Sequence, residues 1–211
     1  MFTAKRITLV FFWTTVIVAS FYFLWTDVFS YFRGFRSKIF GDSLFRNQLF
    51  VVMHMTGGTI ALLTGPTQFW KGFRDKYLRL HRLMGKLYMV GCAMICLSAF
   101  RTAFFSLCRP CTVSLFITAL LLLITTTIAW YSIRKRNIKQ HRQFMVRSYV
   151  LILAFVAVRI DSALPLEFFF GTIDDPMYRR TVNEYFFSFF PPICAEIGLT
   201  WWPYVRRQVA G

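Results

Sequence analysis

Ionisable side chains are scarce in this sequence. Only 16% of its 211 residues are charged and only three are histidines, whereas 56% are hydrophobic. The chain also lacks a phosphate-binding glycine loop, the strand-to-helix turn that presents a nucleophilic serine, and the paired-histidine helix of zinc proteases. These absences exclude the enzyme classes built on those motifs. The few polar groups that remain therefore become the candidates for function.

Six apolar segments are long enough to cross a membrane. A transmembrane helix needs about 20 predominantly apolar residues to span roughly 30 Å of hydrocarbon. The candidate segments cover residues 7–26, 49–70, 83–100, 112–132, 145–168 and 184–205. The sequence therefore predicts an all-α polytopic membrane protein, a bundle of about six transmembrane helices that forms a single membrane domain.

The amino-terminal part is set apart from the rest. Its apolar stretch is too long for a secretion signal and no small-residue cleavage site follows it, so we predict a retained helix. We divide the chain into residues 1–48, with the first transmembrane helix and an outer loop, and residues 49–211, with a five-helix core.

The formal charge of +16 is distributed unevenly along the chain. Basic residues crowd into the ends and loops that a cytoplasmic amino terminus would place inside, and Asp75 is the only acidic residue there. Because cytoplasmic loops are enriched in Lys and Arg, we predict a multi-pass protein of the cytoplasmic (inner) membrane with both termini inside. The basic inner face would attract anionic lipid head groups, and nucleic acid is not an expected partner.

Two of the three histidines begin apolar segments in the same way. His81 is followed by Arg82, and His141 by Arg142, at the inner ends of two helices that both run outward. Neutral imidazole is a common haem ligand, so His81 and His141 could hold the iron of one b-type haem while the arginines pair with its propionates. Such pairs also arise as simple anchors at the membrane interface, and the sequence leaves both interpretations open.

Polar and small residues recur on single helical faces. In the second segment, the small residues Gly58, Ala61 and Gly65 share a helical face with His54 and Gln68. This pattern predicts close helix packing or space for a flat cofactor. The side chains predicted to be polar and buried are His54, Gln68, Tyr88, Tyr149, Arg159 and Glu196. His54 has no second histidine at its depth, so we interpret it as a structural residue bonded to a neighbouring helix.

Arg159 lies 18 residues after His141, five full turns along the same helical face. A charged side chain inside the membrane costs about 2.5 kcal/mol or more unless it is paired or hydrated. Glu196 lies at a comparable depth by residue counting, which predicts an Arg159–Glu196 contact. That contact would either fix helix packing alone or line a cavity for a proton, a quinone or an anionic group.

A CxxC motif, Cys108 to Cys111, precedes the fourth segment on the predicted outer side. An oxidising compartment would permit a disulfide there, and free thiols are the alternative. Membrane thiol oxidoreductases that use quinone place a CxxC in this way, but this chain has no second cysteine pair in an outer loop.

Three stretches carry a resemblance to a known family. Residues 65–69 (GPTQF), 79–88 (RLHRLMGKLY) and 140–149 (QHRQFMVRSY) are similar to the domain-of-unknown-function 2306 family of bacterial membrane proteins, with Arg159 and Glu196 further on. The resemblance covers about residues 49–206, and the CxxC is not part of the family pattern. It implies a polytopic membrane protein and no particular activity.

Three functions therefore remain open, and the sequence does not say whether the protein is an enzyme. The leading hypothesis is a b-type-haem or quinone-linked redox protein with its ligands at the inner membrane boundary. The alternatives are a non-catalytic transporter or binding module for an anion or lipid, and an accessory subunit that packs against a membrane protein partner.

Overall fold

The computed structural model describes residues 4–29, 44–106, 108–159 and 171–209. Across these ranges it is helical, with no strands, which confirms the predicted all-α fold. The helices are α1 (Ala4–Phe23, continued as a π-helix over Leu24–Phe29), α2 (Leu44–Phe69), α3 (Lys71–Lys76), α4 (Leu78–Phe104), α5 (Cys111–Arg134), α6 (Ile138–Arg159), α7 (Pro176–Glu196, continued as a π-helix over Ile197–Trp201) and α8 (Trp202–Val209).

Five of the described helices are long and apolar enough to cross a membrane. These spans are Ile7–Phe29, Gln48–Phe69, Leu78–Phe104, Cys111–Arg134 and Ile138–Arg159. The sixth predicted segment, residues 184–205, lies within α7 and α8 and is helical throughout, but it does not meet the same length and composition criterion. The cytoplasmic position of both termini and the division at residue 48 stay predictions.

Helix α7 starts earlier than the predicted segment, so its first turns are more polar than that segment. The side chain of Asp175 accepts hydrogen bonds from the backbone N–H groups of Met177 and Tyr178, and Pro176 occupies the first helical position. Both features favour a helix start. The helix therefore begins eight residues earlier than predicted and takes in Arg179 and Arg180 ahead of Glu184.

The closest helix pair is α2 and α4. A Cβ atom built on Gly57 would lie 2.7 Å from the carbonyl oxygen of Gly91, and one built on Gly91 would lie 2.7 Å from the carbonyl oxygen of Gly57. Ala61 of α2 is fully buried and packs against Gly91 of α4. Small residues at such positions let two membrane helices approach backbone to backbone.

Side chains of α4 and α6 meet across the centre of the bundle. The hydroxyl groups of Tyr88 and Ser148 lie 2.9 Å apart, and both residues are fully buried. The next residue of α6 is Tyr149, and its ring fills the space that a side chain at Gly65 would need. Trp13 of α1 packs against this ring, so the core runs continuously from α1 to α5.

The α2–α4 contact gives a stability prediction. We expect Gly91→Ala to lower the free energy of unfolding by about 1–3 kcal/mol, because the added methyl group has no room against the α2 backbone. Gly58→Ala is the matched control, since a Cβ atom there meets no atom within 4 Å. The measurement is the unfolding transition of each purified variant in detergent, and equal transitions for the two variants would contradict the packing argument.

Candidate functional site

A cavity of about 150 Å³ lies at the end of the bundle where α4 ends and α5 begins. This end is the outer one in the predicted orientation, and we refer to the space as the outer cavity. Helices α1, α2, α4, α5, α6 and α7 all contribute to its wall. Much of the wall is apolar and includes Phe23, Val28, Leu62, Ile95, Ile152 and Phe155.

Five ionisable side chains also line the outer cavity, and they come from four different helices. They are Asp27, His54, Arg159, Arg180 and Glu184. The charge of Arg159 is close enough to act on His54, Arg180 and Glu184. Charged residues inside a helical membrane protein generally face an interior cavity and mark a pathway or binding site.

The orientation of His54 follows from its partner on α4. Its Nδ1 lies 3.2 Å from the hydroxyl oxygen of Ser98, and that hydroxyl donates to the backbone carbonyl of Met94 at 2.7 Å. Because the single hydroxyl proton is used there, Nδ1 of His54 carries the proton and donates to Ser98. Its Nε2 is then an acceptor. The predicted bond to a neighbouring helix is present, but His54 also faces the cavity.

Arg180, Glu184 and Asp27 were not among the site residues predicted from the sequence. Glu184 is only 6% exposed and accepts a hydrogen bond from the Ser188 hydroxyl at 3.4 Å. The signal that could have identified this pair is the Asp175-Pro176 helix start. Once α7 begins there, residues 180 and 184 fall one turn apart on the same face.

The predicted Arg159–Glu196 contact is wrong. Glu196 pairs instead with Arg147, whose Nε and Nη2 donate to its two carboxylate oxygens at 2.7 and 3.1 Å. Helices α6 and α7 run antiparallel, so the 12 residues from Arg147 to Arg159 correspond to the 12 from Glu196 back to Glu184. The prediction failed because it counted depth from a helix start that was eight residues too late.

Burial of the predicted polar residues is uneven. Tyr88 and Tyr149 are buried, whereas His54, Gln68 and Glu196 are only partly buried. Arg159 is exposed, which corrects the prediction of a buried side chain. As the last residue of α6 it lies at the end of the bundle rather than within it.

His81 and His141 lie at the opposite, predicted inner end. They are 60 residues apart, as are Tyr88 and Ser148, so the parallel helices α4 and α6 carry them at one level. Nδ1 of His141 donates to the carbonyl oxygen of Ala129 at 2.9 Å, and Nδ1 of His81 is buried without a hydrogen-bond partner.

The two histidines also interact with each other and with the backbone. Their imidazoles are near enough to interact electrostatically, and His81 contacts the backbone of Thr67 in α2. The neighbouring Arg82 and Arg142 are exposed. Among the described residues, no group of three or more His, Cys, Asp or Glu side chains is arranged to hold a metal ion.

The structure joins Cys108 and Cys111 in a disulfide. Both cysteines are buried and belong to the wall of the outer cavity, whereas Arg109 and Pro110 between them are exposed. Thr181 of α7 lies against Cys108, with 3.7 Å between its hydroxyl oxygen and the sulfur. The disulfide therefore closes the cavity at the loop between α4 and α5.

The Arg147–Glu196 pair can be tested by a double-mutant cycle. We expect Arg147→Gln and Glu196→Gln to be coupled by at least about 0.5 kcal/mol in unfolding free energy, because the pair is bidentate and partly buried. Arg159→Gln combined with Glu196→Gln is the control and should be additive. Coupling in the control pair but not in the first pair would contradict the structure and support the predicted Arg159–Glu196 contact.

Comparison with known proteins supports the resemblance seen in the motifs. A family model described as "Predicted membrane protein (DUF2306)" matches residues 51–184, from α2 into α7. No curated protein and no solved structure matches the chain significantly. The matched region includes the three histidines and the outer cavity's Arg159, Arg180 and Glu184, while Glu196 lies beyond it. With more than half of its length matched, the chain belongs to the DUF2306 family of membrane proteins.

Proposed function

We propose that the protein binds a quinone-type lipophilic ligand in the outer cavity. The observation that carries this proposal is the convergence of five ionisable side chains on one mostly apolar cavity in a membrane-spanning bundle. Membrane proteins expose such groups to an interior space mainly where a substrate, ion or proton is handled. The ligand site thus lies at the outer end, whereas the sequence favoured the inner boundary.

The size of the cavity favours a single ring-shaped head group. An apolar cavity of about 150 Å³ in another protein accommodates benzene, and the outer cavity has about the same volume. Phe155 and Ile152 would contact the faces of such a ring, while a longer apolar tail would extend into the bilayer. Pockets of this kind combine apolar walls with a few polar groups that fix the orientation of the ligand.

The polar groups suit both redox forms of a quinone. The guanidinium groups of Arg159 and Arg180 donate hydrogen bonds and match a quinone carbonyl oxygen, which only accepts. Nε2 of His54 is an acceptor, so it matches a hydroquinone hydroxyl group, which donates. A carboxylate at Glu184 could accept the same proton.

The cavity also has a route to the bilayer along α1. Only 11% of the residues in its most apolar window are buried inside the protein, although Phe23, Asp27 and Val28 reach the cavity. Lipid therefore surrounds most of this helix. A lipophilic ligand could enter beside it without crossing the aqueous phase.

Filling the cavity tests the proposal directly. We expect decylubiquinone to raise the melting temperature of the wild-type protein in detergent, because a ligand of the native state stabilises it. Gly58→Leu should abolish this increase, since Gly58 lines the cavity and has open space around its Cβ position. Gly198→Leu, at an exposed position in the π-helix that continues α7, is the matched control and should retain it. Equal ligand response in both variants would place binding elsewhere.

A b-type haem at His81 and His141 is the second candidate. The two residues are at one level on parallel helices, and the ring of His141 is held by a backbone carbonyl, as metal-ligating histidines usually are. The unpartnered Nδ1 of His81 is a free donor atom for iron. Arg82 and Arg142, both exposed, would hold the propionates, and a bound haem would supply one-electron transfer.

The haem proposal has a spectroscopic test. Protein purified after expression with ample haem supply should show a Soret band that shifts on reduction. His81→Ala and His141→Ala should each remove or shift the band, because each deletes an axial ligand, whereas His54→Ala at the other end of the bundle should leave it unchanged. Absence of the band in the wild-type protein would reject the haem site but would not bear on the proposed quinone site in the outer cavity.

The predicted inner end also supports a lipid partner. Exposed basic side chains cluster there, including Lys71, Arg79, Arg82, Arg134, Lys135 and Lys139. Such a surface attracts the anionic head groups of the cytoplasmic leaflet. This arrangement agrees with a cytoplasmic-membrane location with both termini inside.

A further inference from the structure

Among the residues that the structure describes, the disulfide is the one covalent redox centre that reaches the outer cavity. Cys108 and Cys111 are 0% and 1% exposed, yet both belong to the cavity wall together with His54, Arg159 and Glu184. The intervening Arg109 and Pro110 are exposed, whereas the two cysteines line the cavity.

We propose that Cys108 and Cys111 form a redox-active pair that passes two electrons to a quinone bound in the outer cavity. This inference rests on the proposed quinone site and adds the electron donor to it. Both cysteines belong to the cavity wall, so a molecule bound there would be a close neighbour with which they could exchange electrons.

The transfer from the reduced pair to the quinone is a balanced two-electron step, and a thiol reductant has to regenerate the reduced pair from the disulfide that the structure shows. The two thiols of the reduced pair lose two protons and two electrons as the S–S bond forms. The quinone accepts both electrons and both protons, and each of its carbonyl groups becomes a hydroxyl group. Thiolate is the reactive form of cysteine.

The remaining cysteines do not compete for this role. Cys92 and Cys96 are free thiols buried within α4, and Cys194 is an exposed free thiol on α7. None of the three lines the outer cavity. Cys194 therefore provides a thiol control outside the site.

The test starts from reduced, full-length protein in detergent under anaerobic conditions. Decylubiquinone is added because all of its ring carbons are substituted, which prevents addition of thiols to the ring. We expect one disulfide to re-form for each hydroquinone produced, measured by mass-tagged thiol alkylation and by absorbance. Gly58→Leu should slow this re-formation at least tenfold, and Cys194→Ser should leave the rate unchanged.

A second variant separates the inference from the proposed function. Cys108→Ser/Cys111→Ser should still be stabilised by decylubiquinone but should produce no hydroquinone. If the quinone stabilises the wild-type protein while the reduced thiols stay free, the pair is a structural link and the redox inference is wrong. If the quinone stabilises neither protein, the proposed quinone binding is wrong. The redox inference depends on that binding and is then wrong as well.

Discussion

The close approach of α2 and α4 is the contact on which the rest of the bundle depends. Membrane helices gain little from the hydrophobic effect against lipid, so backbone packing at Gly57 and Gly91 has to supply the association. This contact sets the distance at which His54 meets Ser98 and Gln68 meets the carbonyl oxygen of His81. Gly58, one residue further along α2, points away from that interface and into the cavity. Adjacent glycines therefore serve helix packing and the proposed ligand site.

The antiparallel pair α6 and α7 carries charge at two levels with different consequences. Nearer the predicted inner end, Arg147 donates hydrogen bonds to both carboxylate oxygens of Glu196 and to Thr200, so its charge is paired within the protein. At the outer cavity, Arg159 and Glu184 interact electrostatically, with no hydrogen bond between them in the described structure. The first level stabilises the helix pair, and the second retains polar groups that a ligand can use.

Hydropathy was sufficient to predict the helical fold, and the motifs were sufficient to indicate the family, because both signals can be read from single segments of the chain. The Arg159–Glu196 contact depended on the start of a different helix and was misplaced by the eight residues that Asp175 and Pro176 add to α7. The outer cavity was beyond sequence reasoning for a related reason. Its wall combines six helices, and no single helix carries the pattern that would reveal it.

The sparse packing of α1 has a consequence for how the site responds to its surroundings. This helix borders the cavity at Phe23 and Val28, but it contacts the bundle mainly through α6 and is otherwise in lipid. Its tilt is therefore determined as much by the thickness of the bilayer as by protein contacts, since a helix adjusts its tilt to match the hydrocarbon around it. A change in lipid chain length would then alter the width of the opening beside α1 while every residue of the cavity stays the same.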